Sequence, residues 1–293
     1  GTVSFPYTVC LPAPDDTVCD TATQTITVVP RGASALSGIA WIDVDRDGVQ
    51  DAGEPTAPAG VAVTVVWLGP DGVLSADDVT FTTSTAADGA YSVTGIPAGA
   101  YRVTIDPASH EDTANLAPTF DLDGVATPWV SAVAVPASTS VDGVDFGLGG
   151  TAELRGSVWD DADASTRRDA GEAPVAGVVV HARWYGWDGE AGTSDDHVFD
   201  TTTAADGTYS FVGIPSGRYA GSLDASSLPS WFERHTFDLD GGADGRAVVD
   251  VARIKEGVDF GLTARVLRAD LQVTKSLVGG LTTGADSTWT IRV

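Results

Sequence analysis

Methionine is absent from this 293-residue chain, lysine occurs only as Lys255 and Lys275, and cysteine only as Cys10 and Cys19. Sixteen basic residues face 41 acidic ones, for a net charge of −25. A surface of that sign repels nucleic acid and anionic lipid and attracts divalent cations. No apolar run reaches the length of a transmembrane helix, so neither nucleic-acid binding nor membrane insertion is expected. His110, His181, His197 and His235 are scattered, without zinc-type spacing or the order of a Ser-His-Asp triad. Paired carboxylates are abundant, yet glycosidase chemistry would also need a substrate cleft, and metal loops account for them better. No enzyme is expected. The chain starts at Gly1 without a signal peptide and ends without an anchor or sorting motif, which reads as an internal fragment.

What is present is acid at regular intervals. The stretch Asp43 to Glu54, DVDRDGVQDAGE, follows the order of an EF-hand loop: Asp43, Asp45, Asp47, the Val49 carbonyl, Asp51 and Glu54 fall at positions one, three, five, seven, nine and twelve. Gly48 takes the sixth place, where the chain turns sharply, and Glu54 can close the shell with both oxygens. The flanks LSGIAWI and GVAVTVVWL are rich in β-branched and aromatic residues and read as strands, not helices. Calcium here is therefore expected to hold a connection in place, since the opening response of sensor EF-hands needs a helix pair.

The chain also repeats itself. GIAWIDVDRDGVQDAGE from Gly38 pairs with GSVWDDADASTRRDAGE from Gly156, and TAADGAYSVTGIPAGAY from Thr85 with TAADGTYSFVGIPSGRY from Thr203. TFDLDG and GVDFGL recur in both copies. Two homologous domains follow, 34–149 and 150–264, joined by little more than Gly149, Gly150 and Thr151. Short alternating segments between Asp-Gly, Pro-Ala-Gly and Pro-Ser-Gly turns predict all-β sandwiches. Tyr91, Val93, Tyr101 and Val103 are expected to face the packing side, and Trp67 and Trp184 to lie in equivalent core strands.

The second main loop offers Asp161, Asp163, Ser165, the Arg167 carbonyl, Asp169 and Glu172, but Thr166 replaces the glycine and Ser165 a carboxylate. Weaker affinity is expected there, and Arg167 with Arg168 adds opposing charge. Asp71, Asp77 and Asp78 in one domain, and Asp188, Asp195 and Asp196 in the other, form further acidic clusters. Their spacing follows no strict template, so a second ion and a solvated hairpin both stay open. Asp121 with Asp123, and Asp238 with Asp240, could complete a site built from several loops. Cys10 and Cys19 bracket a hairpin turn, and a bridge between them would contribute on the order of 2–3 kcal/mol in an oxidising, extracellular setting.

Taken together, the DxDxDGxxDxxE loop, the DGxYxxxGIPxGxY signature and the terminal VDFGL resemble the B-type domains of serine-aspartate repeat surface proteins (SdrD B-like), related to collagen-adhesin B-type domains, over residues 34 to 263. The resemblance implies tandem immunoglobulin-like or prealbumin-like β-sandwiches, stabilised by calcium, that act as a stalk or spacer in a bacterial cell-surface adhesin or secreted multidomain protein. Partners would then be neighbouring domains of the same chain, with host or environmental surfaces reached through other domains. Some collagen-adhesin-type domains carry a Lys isopeptide cross-link. Lys255 lies near the last strand instead of the first, where that family's Lys sits, so calcium would replace covalent bracing. Residues 1–30 resemble the last hairpin of an immunoglobulin-like module, and 267–293 the truncated start of a further β-sandwich repeat. The alternative is an accessory, carbohydrate-binding module of a secreted polysaccharide-degrading enzyme, with Trp129, Trp187 or Trp231 stacking on sugar rings.

Overall fold

The computed structural model describes residues 2–14, 17–27, 32–228, 232–264, 274–278 and 288–292. The chain is all-β, and its sheets form two domains of the same topology. An N-terminal hairpin pairs β1 (Thr2–Cys10) with β2 (Cys19–Thr27), and the Cys10–Cys19 disulfide joins its last register pair.

Domain 1 consists of β3 (Ser34–Ile42), β4 (Ala62–Trp67), β5 (Val79–Ser84), β6 (Ala90–Ile96), β7 (Gly99–Asp106), β8 (Ala117–Phe120), β9 (Val130–Val135), β10 (Ser140–Val141) and β11 (Phe146–Gly149). One sheet has the order β5-β4-β7-β9, all antiparallel. In the other, β3 pairs antiparallel with β6 and, on its other edge, parallel with β10 and then β11, which in turn pairs with β8. Strand alternation supplies the core: β4 (AVTVVW) turns Val63, Val65 and Trp67 inward, and β7 does the same with Tyr101, Val103 and Ile105. Leu36, Ala40, Ile42, Tyr91, Phe146 and Leu148 meet them from the facing sheet.

Domain 2 repeats this with β12 (Ala152–Asp160), β13 (Val179–Trp184), β14 (His197–Thr202), β15 (Thr208–Ile214), β16 (Gly217–Leu223), β17 (Phe232–Phe237), β18 (Arg246–Val251), β19 (Ile254–Lys255) and β20 (Phe260–Ala264). Its sheets run β14-β13-β16-β18 and β15-β12-β20-β17, with β19 also pairing β12. Beyond it, β21 (Thr274–Val278) and β22 (Thr288–Arg292) form an antiparallel hairpin.

One device closes both sandwiches. The Tyr91 hydroxyl donates to the Val144 carbonyl, and the Tyr209 hydroxyl to the Val258 carbonyl. A Cβ on Gly38 would stand 1.9 Å from the Val144 oxygen, and one on Gly156 1.8 Å from the Val258 oxygen. Only glycine lets the segment leading into the last strand come so near the first. Burial pushes both tyrosine hydroxyls far above their ordinary pKa, so they remain neutral donors.

Candidate metal centre

The main loop of domain 1 grows out of the sheet at both ends. The Asp43 amide donates to the Leu148 carbonyl at 3.1 Å, continuing the β3–β11 pairing, and the Ile42 amide donates to the Pro55 carbonyl at 2.7 Å. Beneath it Trp41 packs against Phe120 with ring centroids 5.4 Å apart. The loop is thus mounted on fixed strand ends instead of on helices, as its flanks predict.

Within the loop the acids fold onto backbone amides. Asp45 Oδ1 accepts from the Asp47 amide (3.2 Å) and Asp47 Oδ1 from the Val49 amide (2.7 Å), the local bonds expected of Asp in turns. Glu54 reaches back across the loop, with Oε1 accepting from the Val44 amide (2.7 Å) and Oε2 from the Asp51 amide (3.0 Å). Gly48 adopts φ 77°, the left-handed conformation that position requires. One ligand atom each from Asp43, Asp45 and Glu54 lie within 4.8 Å of one another, and so do those of Asp45, Asp47 and Asp51.

Asp43 decides what this arrangement fits. It is 0% exposed; Oδ2 accepts from the Gly48 amide at 3.1 Å, while Oδ1 is buried without a hydrogen-bond partner. A buried, uncompensated carboxylate oxygen is costly, and a cation bound among the acids would remove that cost. Burial first, and then Asp43 and Asp45, push the Glu54 pKa up, so the loop's charge is strained by its own neighbours. The donor set is all oxygen, which suits a hard cation such as calcium.

Loop 2 has the same outline but satisfies itself. Asp161, also 0% exposed, accepts from the Ser165 amide (2.8 Å) and the Thr166 amide (3.0 Å), one on each oxygen. The Ser165 hydroxyl lies 3.2 Å from the Arg167 carbonyl and 3.1 Å from Asp169 Oδ2, so it occupies two groups that would otherwise be free ligands. Asp161, Asp163 and Glu172 converge, whereas Asp169 joins no acidic triplet among the described residues. Thr166 is held at φ 66°, a conformation disfavoured for a β-branched residue.

A third grouping, Asp238, Asp240 and Asp244, has ligand atoms mutually within 4.8 Å. Asp238 is 1% exposed; its Oδ2 accepts from the Asp244 and Gly245 amides while Oδ1 is left without a partner. Sequence reasoning noted the first two acids and missed Asp244, though the glycine-rich spacing DLDGGAD was the available signal. In domain 1, Asp121 is 2% exposed with both carboxylate oxygens buried and unpartnered. Burial and then Asp123 beside it push its pKa up.

The other expected clusters behave differently. Neither Asp71, Asp77 and Asp78 nor Asp188, Asp195 and Asp196 form such a triplet among the described residues. Asp71 accepts from the Val73 amide and Asp78 from the Ser75 amide. Asp188, Asp195 and Asp196 gather around the Thr193 hydroxyl at 3.4, 2.9 and 3.3 Å. Of the tryptophans considered as sugar platforms, Trp231 lies outside the described residues. Trp129 packs partly buried against the domain 1 core. Trp187 is not an open platform: it packs against the cores of both domains, edge-on to Trp184, and its Nε1 donates to the Thr56 carbonyl at 2.8 Å. A loop aromatic in a tandem protein had the neighbouring domain to fold onto.

Comparison with known proteins places these features in context. A profile of the SdrD B-like domain matches residues 34–148 and 152–247. Serine-aspartate repeat-containing protein D of Staphylococcus aureus (strain Newman) is 28% identical over 194 residues, covering 66% of this chain and 13% of that protein. Serine-aspartate repeat-containing protein E of S. aureus (strain MSSA476) is 27% identical over 228 residues, covering 78% of this chain and 18% of that protein. This chain therefore spans a small part of the length of these relatives. Among solved structures, GBS52, the minor pilin of Streptococcus agalactiae, is similar at 15% identity and a TM-score of 0.31, covering 82% of this chain and 99% of that one. The shaft pilin SpaA from Lactobacillus rhamnosus GG is similar at 11% identity and a TM-score of 0.31, covering 80% and 98%.

Proposed function

We propose, from the premise that this chain belongs to the SdrD B-like domain family, that its two central domains, with limits at 34–149 and 150–264, are calcium-braced spacers in an extracellular, cell-surface or secreted protein. The observation that carries this reading is Asp43, a fully buried carboxylate with an unpartnered oxygen at the head of an acidic loop. A cation there would be held by Asp43, Asp45, Asp47, Asp51, Glu54 and the Val49 carbonyl. Its charge would offset the mutual repulsion of these acids and tie the ends of β3 and β11 to the chain entering β4. The chain's own residues do the positioning: the strand ends and the Glu54 bridge set where the carboxylates stand.

The role is mechanical and not catalytic. Extracellular calcium modules bind with affinities of roughly 10⁻⁴ to 10⁻³ M, so occupancy would follow ambient calcium. Loop 1 is the stronger site, loop 2 the weaker, and the Asp238 cluster a candidate second site in domain 2. The Cys10–Cys19 disulfide supports an oxidising location. No helix among the described residues is long and apolar enough to cross a membrane. Calorimetric titration of the full chain with calcium tests the assignment. Heat from at least one site is expected, lost in Asp43→Ala and largely kept in Asp161→Ala; absence of any binding heat would remove the calcium reading.

A further inference from the structure

The acidic loop of domain 1 lies where the two domains meet, and residues of the second domain reach it from separate segments. Trp187, in the loop after β13, donates from Nε1 to the Thr56 carbonyl, two residues past Glu54. His197, the first residue of β14, places Nδ1 3.2 Å from the Gly53 carbonyl. Arg46, between the ligand candidates Asp45 and Asp47, donates to the Gly150 carbonyl in the linker. Its guanidinium also crowds Gly213, where an added Cβ would come 3.1 Å from Nε. Beside them the Thr151 hydroxyl donates to the Asn115 carbonyl at 2.5 Å.

The internal repeat supplies a control. At the position of Trp187 the first domain has Pro70, in GPDG against GWDG, and at the position of Arg46 the second domain has Ala164, in DADAS against DVDRD. The same fold therefore forms in the other copy without either side chain, and each occurs on the side of this junction where it meets the other domain. Trp187 is also held ready from behind: its amide donates to Asp195 Oδ2 at 2.7 Å, and its ring stands edge-on to Trp184 with centroids 4.7 Å apart at 90°. This gives the acidic hairpin of domain 2 a task as a positioning element for that ring.

We infer that the Asp43–Glu54 loop is the seat on which domain 2 docks, through Trp187, His197 and the Arg46–linker contact, and that a cation in the loop fixes the angle between the domains. The docking follows from the contacts alone; the cation dependence rests on the calcium reading given above. Arg46, Gly53 and Thr56 are interleaved with or directly follow the acids, so an ion that orders the acids orders the seat. With the ion removed, repulsion among five carboxylates spreads the loop and loosens the seat.

The test is a distance distribution by pulsed electron paramagnetic resonance on the full chain, with spin labels at Thr94→Cys and Asp250→Cys, exposed positions in β6 and β18. The native cysteines are paired with each other and take no label. In calcium a single narrow distribution is expected, broadening severalfold in chelator. Trp187→Ala and the exposed-side-chain variant Arg46→Ala should broaden it even in calcium, while each retains the parent's calcium stoichiometry by calorimetry and its strand signal by circular dichroism. A distribution that stays narrow in both variants overturns the docking. One that stays narrow in chelator, in a protein that calorimetry shows to bind calcium, overturns the coupling. If calorimetry finds no calcium bound, the calcium reading fails by itself, and broadening in Trp187→Ala would still support the docking.

Discussion

Asp43 and Asp161 occupy the same place in two copies of one loop, and the difference between them lies in two neighbours, Asp47 and Gly48 against Ser165 and Thr166. In loop 1 Gly48 and Asp47 leave Asp43 Oδ1 unpartnered; in loop 2 the Ser165 and Thr166 amides use both Asp161 oxygens, and the Ser165 hydroxyl engages the groups opposite. Restoring the missing parts should restore the site. The double change Ser165→Asp with Thr166→Gly is expected to raise calcium affinity at loop 2 by roughly tenfold or more, read by calorimetry in an Asp43→Ala background, because it adds a charged ligand and relieves a left-handed threonine. Unchanged affinity would mean that Arg167 and Arg168 control the loop. The raised carboxyls Glu54 and Asp121 add a pH dependence. A carboxyl whose folded pKa lies above its unfolded one contributes stability below the unfolded value, and that contribution is lost as pH rises through the folded value. In chelator the share of stability that depends on these two carboxyls should therefore grow as the pH falls toward the ordinary carboxylate range, read as a smaller gain in melting temperature in Glu54→Gln than in the parent, whereas in calcium protons compete with the ion and the same change should lower the melting temperature.

At the scale of elements, the strands carry the fold and hold the loops. Tyr91→Phe leaves the buried Val144 carbonyl without its donor and is expected to cost about 1–3 kcal/mol in denaturant unfolding, with Tyr209→Phe costing a like amount in domain 2. Gly38→Ala should cost more, because its Cβ would overlap the Val144 carbonyl and force β3 away from the segment leading into β11. These elements were legible because their signals are local. Alternation in AVTVVW and GAYRVTID announces which side chains face inward, and the loop acids announce themselves by spacing. The Asp238 cluster was harder to read: its significance depends on the burial of Asp238 at the end of β17 and on Asp244 returning across a turn, neither of which periodicity reports.

At the scale of the whole molecule, the tandem repeat was legible from internal similarity, but the junction was not. Trp187 in a glycine-rich acidic loop reads as an exposed platform until the preceding domain is set beside it, and nothing in the loop pattern around Arg46 announces its reach to Gly150. Contacts between domains leave no periodic trace in a sequence, because each side needs only one or two residues. A net charge of −25 carried on compact domains makes the molecule self-repelling, and bound cations are the natural counterweight. The central claim is that a cation braces this fold, and thermal unfolding of the full chain in excess calcium and again in chelator tests it most directly. At a hundredfold excess over Kd each occupied site adds about 2.7 kcal/mol, which predicts a calcium-dependent rise in Tm of roughly 5–15 °C that Asp43→Ala largely abolishes. Identical melting curves in calcium and chelator would contradict the account and leave the acidic loops as solvated surface.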